Sequence, residues 1–503
     1  MVLNKYKQIY NLPAFLDIRN KELNLFCMFL ADFFTLSSSQ TIIGMISIYF
    51  KDGTLLLDAP RDTDAPIKGL CVYDARVSSW RAEACTYADI IMALHSAGIP
   101  YDDRARRYLP LQLHRQSLFP PRDYQRQAID AWAKARRRGV IVLPTGTGKS
   151  FVAQMAMELC NRSTLVVVPT LDLMEQWASQ LAKAFSQEVG LLGGGSKDVK
   201  DLTVSTYDSA TLMMESIGDR FGLLVVDECH HLPGPSYQTL AKFTIAPFRL
   251  GLTATPERDD GMEDALDRLI GPICFRKDID EMEGNALASY RTETIPVALD
   301  DQELDEYLHQ RQIYTDFIRA NRINISARDG WNQFLRACSR QRNGRGALNA
   351  YLKQREIARG GKGKLDLLWQ LFNEHVHERI LVFTADNQTA YSIGQRFCLP
   401  VLTHHTKIAE RRSLLDAFRQ GLLPILVTSK ILNEGVDVPE ASVGIVVSGS
   451  GSVREHVQRL GRILRPSAGK QAVLYELISA GTSESYVSER RRQHRAYERP
   501  DSM

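Results

Sequence analysis

A glycine-rich segment ending in lysine and serine lies between an apolar run and a helical pattern. Residues 144–150 read Pro-Thr-Gly-Thr-Gly-Lys-Ser and follow the apolar run 140–143. Glycines let successive backbone N–H groups surround phosphate oxygens, a lysine at this spacing reaches the β- and γ-phosphates, and a serine hydroxyl ligates Mg²⁺. The segment predicts an ATP and Mg²⁺ site, although Leu143 stands where the strict pattern has glycine; an ordinary turn is the alternative. The residues assigned to it are Pro144, Thr145, Gly146, Thr147, Gly148, Lys149 and Ser150.

Two adjacent carboxylates end another apolar run. Residues 223–226 are Leu-Leu-Val-Val, and Asp227 and Glu228 follow directly. Because the carboxyl ends of parallel strands meet at one sheet edge, both acids are predicted to lie near the lysine loop. Asp227 is predicted to hold Mg²⁺, and Glu228 to orient and deprotonate the attacking water, a role worth roughly 10²–10⁴ in rate. For an isolated Asp-Glu pair the alternative is a solvated loop.

Cys229, His230 and His231 come next and raise the question of a zinc site. Adjacent histidines point in different directions and no second ligand pair lies nearby, so zinc is disfavoured. We expect the histidines to link this loop to the neighbouring sheet edge. Arg122 and Gln125 precede the first apolar run by about 15 residues, and at that spacing they are expected within reach of an adenine base.

Two arginines near the C-terminus complete the candidate chemistry. Arg462 and Arg465 are three residues apart, on one face of a predicted helix that also carries Gln458, which we place in the catalytic set. Arginine forks stabilise the charge of transferring phosphate, an effect worth roughly 10³–10⁵ in turnover. If they come from a different lobe than Lys149, hydrolysis depends on the lobes closing. Two surface arginines are the alternative.

The elements that must position these residues follow two α/β patterns. Short, largely apolar runs alternate with helical stretches, as in parallel sheets buried on both faces. The first series of predicted strands is 140–143, 165–168, 202–205, 223–226 and 250–253, and the second is 380–383, 425–428, 443–448 and 472–477. Before them, runs 46–50 and 54–57 around Asp52-Gly53 predict a hairpin, and a helix is predicted over 86–96 with Thr86 as its cap.

Composition excludes several classes of protein. The 503 residues are 44% hydrophobic and 24% charged, which rules out a disordered or fibrous chain. Eight cysteines without a CxxC pair indicate free thiols, and no apolar run is long enough to span a bilayer, so we expect a soluble, intracellular protein. The net charge is only +3, but 307–364 holds thirteen Lys/Arg against three Asp/Glu, which predicts a polyanion contact.

The motifs together resemble superfamily 2 helicases, in order along the chain, and within them the archaeal and bacterial form of the XPB family. The matching segments are PTGTGKS (144–150), VVVPT (166–170), STYDSA (205–210), DECHH (227–231), TIAPFRLGLTATPER (244–258), ILNEGVDVPEA (431–441), SGSGSVREHVQRLGRILRP (448–466) and VLYELISAGT (473–482). The resemblance implies a 3′-to-5′ ATP-driven DNA helicase or translocase. It also implies an α/β fold with two RecA-like parallel-sheet lobes, a small N-terminal αβ domain and an inserted helical thumb.

The resemblance also sets the expected domains. They are an extension of unknown role (1–44), a damage-recognition-like domain (45–110), helicase lobe 1 (111–298), a basic helical thumb that grips duplex DNA (299–364), helicase lobe 2 (365–490) and a basic tail (491–503). We expect residues 1–44 to be dispensable. The family's Arg-Glu-Asp motif corresponds to Arg258-Asp259-Asp260, whose middle residue is one methylene shorter, which alters its reach in strand parting.

Family motifs assign contacts along one DNA strand, made by backbone amides and short polar side chains. The assigned residues are Pro169, Thr170, Ser205, Thr206 and Arg258 on the first lobe and Thr384, Thr428 and Ser429 on the second. Thr253 and Thr255 are expected to couple the nucleotide site to the strand, and Gly435 and Asp437 to do so from the opposite lobe. Ordinary loop caps are the alternative for each. Phosphate contacts predict DNA affinity that falls steeply with salt.

Several interpretations of the function stay open. The leading one is a helicase acting on double-stranded and forked DNA in repair or transcription-linked opening. Alternatives are a duplex translocase or restriction-type motor without net unwinding, an ATP-switched DNA-binding scaffold and, less favoured, an RNA helicase. The resemblance further implies a nuclease partner, as in archaeal relatives, no membrane association, and a cytoplasmic, nucleoid-associated location.

Overall fold

The computed structural model describes residues 45–61, 66–116, 120–258, 260–282, 289–327, 329–429, 441–448 and 471–484. These residues form three β-sheets with helices packed around them. The segments predicted as the N-terminal extension (1–44) and the basic tail (491–503) lie outside the described residues. So do Gly435, Asp437 and the segment 458–465.

The first sheet is small and mixed. Its strands are β1 (Ile46–Lys51), β2 (Thr54–Asp58), β3 (Val72–Asp74), β4 (Ser79–Glu83) and β5 (Tyr101–Asp103), in the spatial order β3-β4-β2-β1-β5. The predicted hairpin is confirmed, because β1 and β2 pair antiparallel around Asp52 and Gly53, which both have positive φ angles. Helix α1 (Tyr87–Ser96) covers the sheet. Thr86 stands at its N-cap, but the predicted side-chain cap is wrong, because its hydroxyl donates to the Glu83 carbonyl of the preceding 3₁₀ turn.

The second sheet has eight strands and carries most of the predicted site. Its strands are β6 (Arg138–Val142), β7 (Thr164–Val168), β8 (Val189–Gly193), β9 (Ser196–Lys197), β10 (Leu202–Thr206), β11 (Leu223–Asp227), β12 (Phe248–Thr253) and β13 (Ile273–Arg276), in the order β13-β6-β12-β11-β7-β10-β8-β9. Apart from the β8–β9 hairpin, neighbouring strands are parallel. The five predicted strands of the first series are all present.

Helices cover both faces of this sheet. They are α2 (Asp123–Lys134), α3 (Lys149–Cys160), α4 (Leu171–Phe185), α5 (Tyr207–Ile217), α6 (Gln238–Lys242) and α7 (Ala265–Leu269). The short α8 (Ile279–Met282) follows β13, and its Met282 packs with Phe383 and Leu426 instead. Alternate strand residues face two separate cores: Ile141 and Val225 lie with α2, α3 and α4, whereas Val140 and Val226 lie with α5, α6 and α7. Burial on both faces explains why these strands read as continuous apolar runs.

The third sheet has six parallel strands. They are β14 (Ser289–Val297), β15 (Ile380–Phe383), β16 (Val401–Leu402), β17 (Ile425–Thr428), β18 (Val443–Val446) and β19 (Gln471–Ser479), in the order β14-β19-β18-β15-β17-β16. The strand β14 lies within the range predicted for lobe 1, yet all nine of its residues pair with β19. It is an edge strand with alternating polar residues and Pro296, so it lacks the continuous apolar run that marks a central strand.

The predicted basic helical segment is helical and is inserted between β14 and β15. It contains α9 (Asp301–Ala320), α10 (Gly330–Arg340), α11 (Gly344–Gly360) and the start of α12 (Lys362–Glu374). The first three helices enclose a small aromatic core around Phe317, Phe334 and Tyr351, whereas α12 packs under the third sheet through Leu368 and other apolar side chains. Helices α13 (Asn387–Phe397) and α14 (Ile408–Arg419) follow β15 and β16. Within the described ranges, no helix is both long and apolar enough to cross a membrane.

Candidate active site

The glycine-rich loop joins β6 to α3 at the carboxyl edge of the second sheet. Gly146 and Gly148 have φ angles of 86° and 83°, in the left-handed region that favours glycine. A Cβ at Gly148 would lie 2.8 Å from Gln125 Nε2. Lys149 is the first residue of α3, so the backbone N–H groups of the loop and the helix start face the same space. The loop therefore has the conformation that a phosphate-binding turn requires.

The loop is held in place by α2. The Tyr124 hydroxyl donates to the Thr147 carbonyl at 2.6 Å, and Gln125 Nε2 donates to the same oxygen at 3.1 Å. Gln125 Oε1 in turn accepts from the Arg122 backbone N–H at 3.0 Å. Of the two residues predicted to contact adenine, the buried Gln125 braces the phosphate loop with its amide, and Arg122 contacts Gln125 through its backbone.

Lys149 lies half-buried with a single weak partner. Its Nζ donates to the Leu143 carbonyl at 3.3 Å. Among the described residues no carboxylate lies within ion-pair distance of this ammonium group. Nearby, the buried Thr145 Oγ1 has no hydrogen-bond partner in the described part of the chain. An unneutralised cation and an unused hydroxyl on a positive-φ loop fit a bound phosphate, and Ser150 follows Lys149 as the candidate Mg²⁺ ligand.

Asp227 is a buried carboxylate at the end of β11. Trp177 Nε1 donates to its Oδ2 at 2.9 Å, and the Glu228 backbone N–H donates to its Oδ1 at 3.0 Å. Burial raises the pKa of Asp227, while the Lys149 charge and the Trp177 hydrogen bond act to lower it. The carboxylate is therefore held in one orientation beside the lysine loop, as a ligand for a hard cation would be.

Glu228 adopts a backbone conformation that is rare for its residue type, with a φ angle of 48°. The Tyr207 hydroxyl lies 3.0 Å from the Asp227 carbonyl and 3.1 Å from that of Glu228. Glu228 Oε2 lies 3.5 Å from His230 Nδ1. Strained backbone held by surrounding contacts is common at functional sites, because the strain sets the direction of the side chain.

His230 connects the acidic loop to β12. Its Nδ1 lies 3.0 Å from Thr253 Oγ1, which also accepts from the Thr255 N–H at 3.1 Å. The Arg258 guanidinium donates to the His230 carbonyl and forms a two-point ion pair with Asp260. The predicted link to the neighbouring sheet edge is confirmed for His230, whereas His231 packs against the Tyr207 ring. The described residues contain no group of three or more His, Cys, Asp or Glu side chains that could hold a metal ion.

Four of the first-lobe residues predicted to contact DNA lie at the same edge: Pro169 and Thr170 follow β7, and Ser205 and Thr206 end β10. Thr170 caps α4 by accepting from Leu173 N at 3.3 Å, and Thr206 caps α5 by accepting from Ser209 N at 3.3 Å. The buried Ser205 hydroxyl donates to the Leu192 carbonyl at 3.0 Å. The capping alternative is therefore observed for both threonines, and the Ser205 hydroxyl is committed to the protein itself.

The second-lobe residues lie together at the carboxyl edge of the third sheet. The buried Thr384 hydroxyl donates to Asp386 O at 2.9 Å, and the buried Thr428 hydroxyl to Ser429 O at 2.9 Å. The Ser429 hydroxyl donates to Asn387 Oδ1 at 2.7 Å, and the Asn387 amide lies 3.3 Å from His404 Nδ1. These hydroxyls shape the edge. Asn387 and the exposed His404 are polar groups there that sequence reasoning missed.

Contacts between the two large sheets join α4 to α14. Arg411 forms an ion pair with Asp172, and Arg412 forms one with Glu175. The sequence does not predict these ion pairs, because nothing in α4 or α14 indicates a contact between residues more than 230 positions apart. It also does not predict the contacts of Trp177 and Tyr207, because they too depend on tertiary packing. Gln458, Arg462 and Arg465, which were predicted to reach the nucleotide from the other lobe, lie outside the described residues.

Three stretches of the chain match known protein families. Residues 118–258 match the family described as type III restriction enzyme, res subunit. Residues 366–496 match the ERCC3/RAD25/XPB C-terminal helicase family, and residues 48–105 match the Xeroderma pigmentosum group B helicase damage recognition domain. The matches fall on the second, third and first sheets respectively.

Curated relatives extend over most of the chain. The "DNA 3′-5′ translocase XPB2" of Sulfurisphaera tokodaii is 38% identical over 435 residues, which cover 85% of this chain and 98% of the relative. The "DNA 3′-5′ helicase XPB" of Mycobacterium tuberculosis is 32% identical over 399 residues, which cover 76% of this chain and 65% of the relative.

Solved structures confirm the predicted α/β fold with RecA-like parallel-sheet lobes. The helicase domain of Pyrococcus furiosus Hef matches 75% of this chain and 99% of its own, with a TM-score of 0.51 and 20% identity. Dbp5 of S. cerevisiae, bound to RNA and ADP BeF3, matches 74% of this chain and 88% of its own, with a TM-score of 0.51 and 14% identity. At these identities the likeness concerns the fold alone.

Proposed function

The chain belongs to the XPB family of superfamily 2 DNA helicases, and we infer from that membership and from the site that it is an ATP-dependent 3′–5′ DNA helicase/translocase. Its work is movement on duplex DNA and opening of that duplex, in repair or transcription-linked opening. The observation that carries the proposal is the unneutralised Lys149 on its positive-φ loop, beside the buried acids Asp227 and Glu228.

The loop residues Pro144–Ser150 and Asp227 are the groups that would hold the nucleotide and its metal. ATP supplies the phosphoanhydride bond and Mg²⁺ supplies charge neutralisation when both are bound. Lys149 binds β- and γ-phosphate oxygens, while the Thr147 carbonyl contacts with Tyr124 and Gln125 keep the loop in position. Ser150 and Asp227 present hard oxygen atoms to the cation.

Glu228 is the group that orients water and accepts its proton. Its left-handed backbone conformation, with the Tyr207 hydroxyl on the carbonyls of Asp227 and Glu228, is proposed to set the direction of the side chain. His230 and Thr253 join this carboxylate to β12, so a change at the phosphate site reaches Thr255 and Arg258 through hydrogen bonds already present. This path is the proposed coupling between hydrolysis and the DNA strand.

The DNA strand is proposed to run across the carboxyl edges of both large sheets, over the caps at Thr170 and Thr206 and past Thr384, Thr428 and Ser429. Because the hydroxyls are largely committed to protein partners, backbone groups and neighbours such as Asn387 carry the phosphate contacts. Arg462 and Arg465, together with Gln458, Gly435 and Asp437, are proposed to complete the nucleotide site from the second lobe.

The remaining parts receive proposed roles from the family. The first sheet is proposed to be a damage-recognition-like domain, the helices between β14 and α12 a thumb on duplex DNA, and residues 1–44 a dispensable extension. A nuclease partner and a cytoplasmic, nucleoid-associated location are proposed on the same basis.

ATP hydrolysis measured with duplex DNA, with RNA and without nucleic acid tests the proposal. We expect stimulation by DNA, little by RNA, and loss of hydrolysis in Lys149→Ala, while Lys149→Arg keeps the charge and part of the binding. Equal stimulation by RNA would overturn the DNA assignment. Hydrolysis that survives Lys149→Ala would overturn the site.

A second candidate function is duplex translocation without net strand separation. The S. tokodaii relative carries the name translocase, and Arg258-Asp259-Asp260 has a shorter middle residue than the family motif. A forked duplex with a free 3′ tail and a duplex blocked by a bound protein separate the two functions. Release of a single strand supports the helicase, whereas displacement of the block without strand release supports the translocase.

A further inference from the structure

A row of arginines and aromatic rings lies at the amino edge of the second sheet, at the opposite ends of the strands from the nucleotide loop. Arg137 directly precedes β6, Phe248 opens β12, and Arg162 stands two residues before β7. Arg106 and Tyr108 arrive from the segment that leaves the first sheet. We call these five residues the arginine ladder. Nothing in the nucleotide site or the proposed strand path uses it.

The ladder alternates cations with rings. The Arg106 guanidinium lies 5.8 Å from the Tyr108 ring centroid, and that of Arg162 lies 5.4 Å from it. Arg162 also lies 5.7 Å from the Phe248 centroid, and Arg137 lies 5.0 Å from it. Each ring thus has two guanidinium groups near it. Cation–π contacts fix arginine stems while the N–H edges stay available for a further partner.

The arginine ladder has few acidic partners in the part of the chain that the structure describes. Among the described residues, Arg137 and Arg162 have no carboxylate within ion-pair distance, and Arg106 has only Asp103 at 3.9 Å. The neighbouring Asp219 is already held by Arg107 through two contacts of 2.5 and 2.6 Å. Cations concentrated in this way repel one another, so the surface favours an anionic partner.

The backbone conformation beside the arginine ladder also favours a binding role for this surface. Arg136 and Arg137 both have left-handed φ angles, 57° and 58°, in the turn between α2 and β6. Glycine or asparagine fits such a turn without strain, and two consecutive arginines do not. Arg136 is exposed and extends the row of cations. Two charged side chains at strained positions on one surface indicate that the side chains themselves are used.

We propose that the arginine ladder, with Arg136, is a second DNA site that binds phosphates of duplex DNA away from the segment held by the motor. The proposal rests on the proposed function, since it takes duplex DNA as the substrate. Arginine forks match phosphate oxygens in pairs, and the repeat of cations along the ladder suits a polymer with regularly spaced charges. Because the ladder and Lys149 lie at opposite sheet edges, a duplex must extend beyond the motor segment to reach it.

The test measures duplex binding against salt by fluorescence anisotropy, with duplexes of roughly one and roughly four helical turns. The variant Arg136→Gly/Arg137→Gly removes two cations and also relieves both strained positions. The variant Arg136→Lys/Arg137→Lys keeps the charge. A charge-matched control, Arg379→Ala/Arg396→Ala, removes one arginine that precedes β15, as Arg137 precedes β6, and a second that lies on α13.

On the long duplex, we expect the glycine variant to reduce the slope of log K against log salt by about 2, since each lost phosphate contact removes about 0.9. Its unfolding midpoint should equal or exceed that of the wild type. The lysine variant and the control should keep the wild-type slope, and the glycine variant should bind both duplex lengths with the same slope.

An unchanged slope in a folded glycine variant would overturn the proposal, as would an equal loss in the control. Loss of binding to a polyglutamate probe without loss of DNA binding would also overturn it, in favour of an acidic protein partner. Failure of the proposed function is distinguishable, because it would appear in the wild type as ATP hydrolysis that DNA does not stimulate.

Discussion

Two segments of the chain carry glycines and lysines in front of a helix, and only one has the geometry of a ligand site. Residues 146–150 are Gly-Thr-Gly-Lys-Ser, and residues 360–364 are Gly-Gly-Lys-Gly-Lys. In both, the last lysine lies in the first turn of a helix, α3 or α12. The residue types are alike, yet the surroundings of the two lysines differ.

Lys364 is satisfied by the protein. Its side chain is fully buried, and its Nζ donates to Glu484 Oε2 at 2.6 Å and to the Val447 carbonyl at 2.8 Å. Lys149, in contrast, is half-buried, and its Nζ donates to the Leu143 carbonyl at 3.3 Å. A lysine whose charge is neutralised inside the fold stabilises it, whereas a lysine held beside phosphate-binding glycines without a carboxylate partner is available for a ligand.

Removing the buried charge gives the largest expected effect on stability. Lys364→Met leaves the Glu484 carboxylate without its cation, and breaking a buried pair from one side costs about 3–5 kcal/mol. The free energy of unfolding, measured with denaturant, should fall by that amount. The matched variant Lys149→Met should change it by less than about 1 kcal/mol, because no ion pair is lost. Equal losses in the two variants would remove the distinction between the lysines.

Removing the Lys149 charge should weaken ATP binding and leave the stability of the fold nearly unchanged. Lys149→Ala loses a charged hydrogen bond to phosphate, which is worth about 1.5–3 kcal/mol and so about 10- to 100-fold in Kd for ATP. Equilibrium binding of a fluorescent ATP analogue measures it. The Lys364→Met variant, which leaves the phosphate loop intact, should show near-normal ATP affinity per folded molecule. An unchanged Kd in Lys149→Ala would contradict the phosphate assignment.

The sequence predicts the central strands of the two large sheets, because burial on both faces leaves a continuous apolar signal, and it misses the outer strands β8, β9, β13 and β16. It misplaces β14, which is an edge strand with polar residues and gains its place only by pairing with β19. The site residues also divide into those that local sequence predicts and those whose contacts depend on tertiary packing. The positions of Lys149, Asp227 and Glu228 follow from local spacing, whereas the Trp177 contact with Asp227 depends on how α4 packs. Hydroxyls such as that of Thr428 are committed to backbone partners that sequence does not reveal.

Removing the hydrogen bond between Trp177 and Asp227 should have a smaller effect, on stability and on the Mg²⁺ requirement. Trp177→Phe removes the donor to a buried carboxylate, which should cost about 1–3 kcal/mol and raise the pKa of Asp227 further. A higher Mg²⁺ concentration should then be needed for half-maximal ATP hydrolysis. In the control Trp132→Phe, the lost bond goes to the Arg249 carbonyl, and the Mg²⁺ requirement should not change. The same shift in both variants would argue against a specific role for Trp177.

The ion pairs between the two large sheets give the smallest expected effects. Arg411 and Asp172 are mostly buried, so a double-mutant cycle on unfolding should give a coupling of about 1 kcal/mol. Arg412 and Glu175 are about half exposed, and their coupling should not exceed about 0.5 kcal/mol. Both couplings should weaken with salt. A stronger exposed pair than buried pair would contradict this ranking.

Glu228→Gln tests the proposed site most directly, because the amide keeps the shape of the side chain and cannot accept a proton. Single-turnover ATP hydrolysis with duplex DNA should be at least about 10²-fold slower than in the wild type, while the Kd for ATP stays within about 3-fold. Hydrolysis at the wild-type rate, or a loss explained entirely by weaker ATP binding, would show that Glu228 does not activate the attacking water.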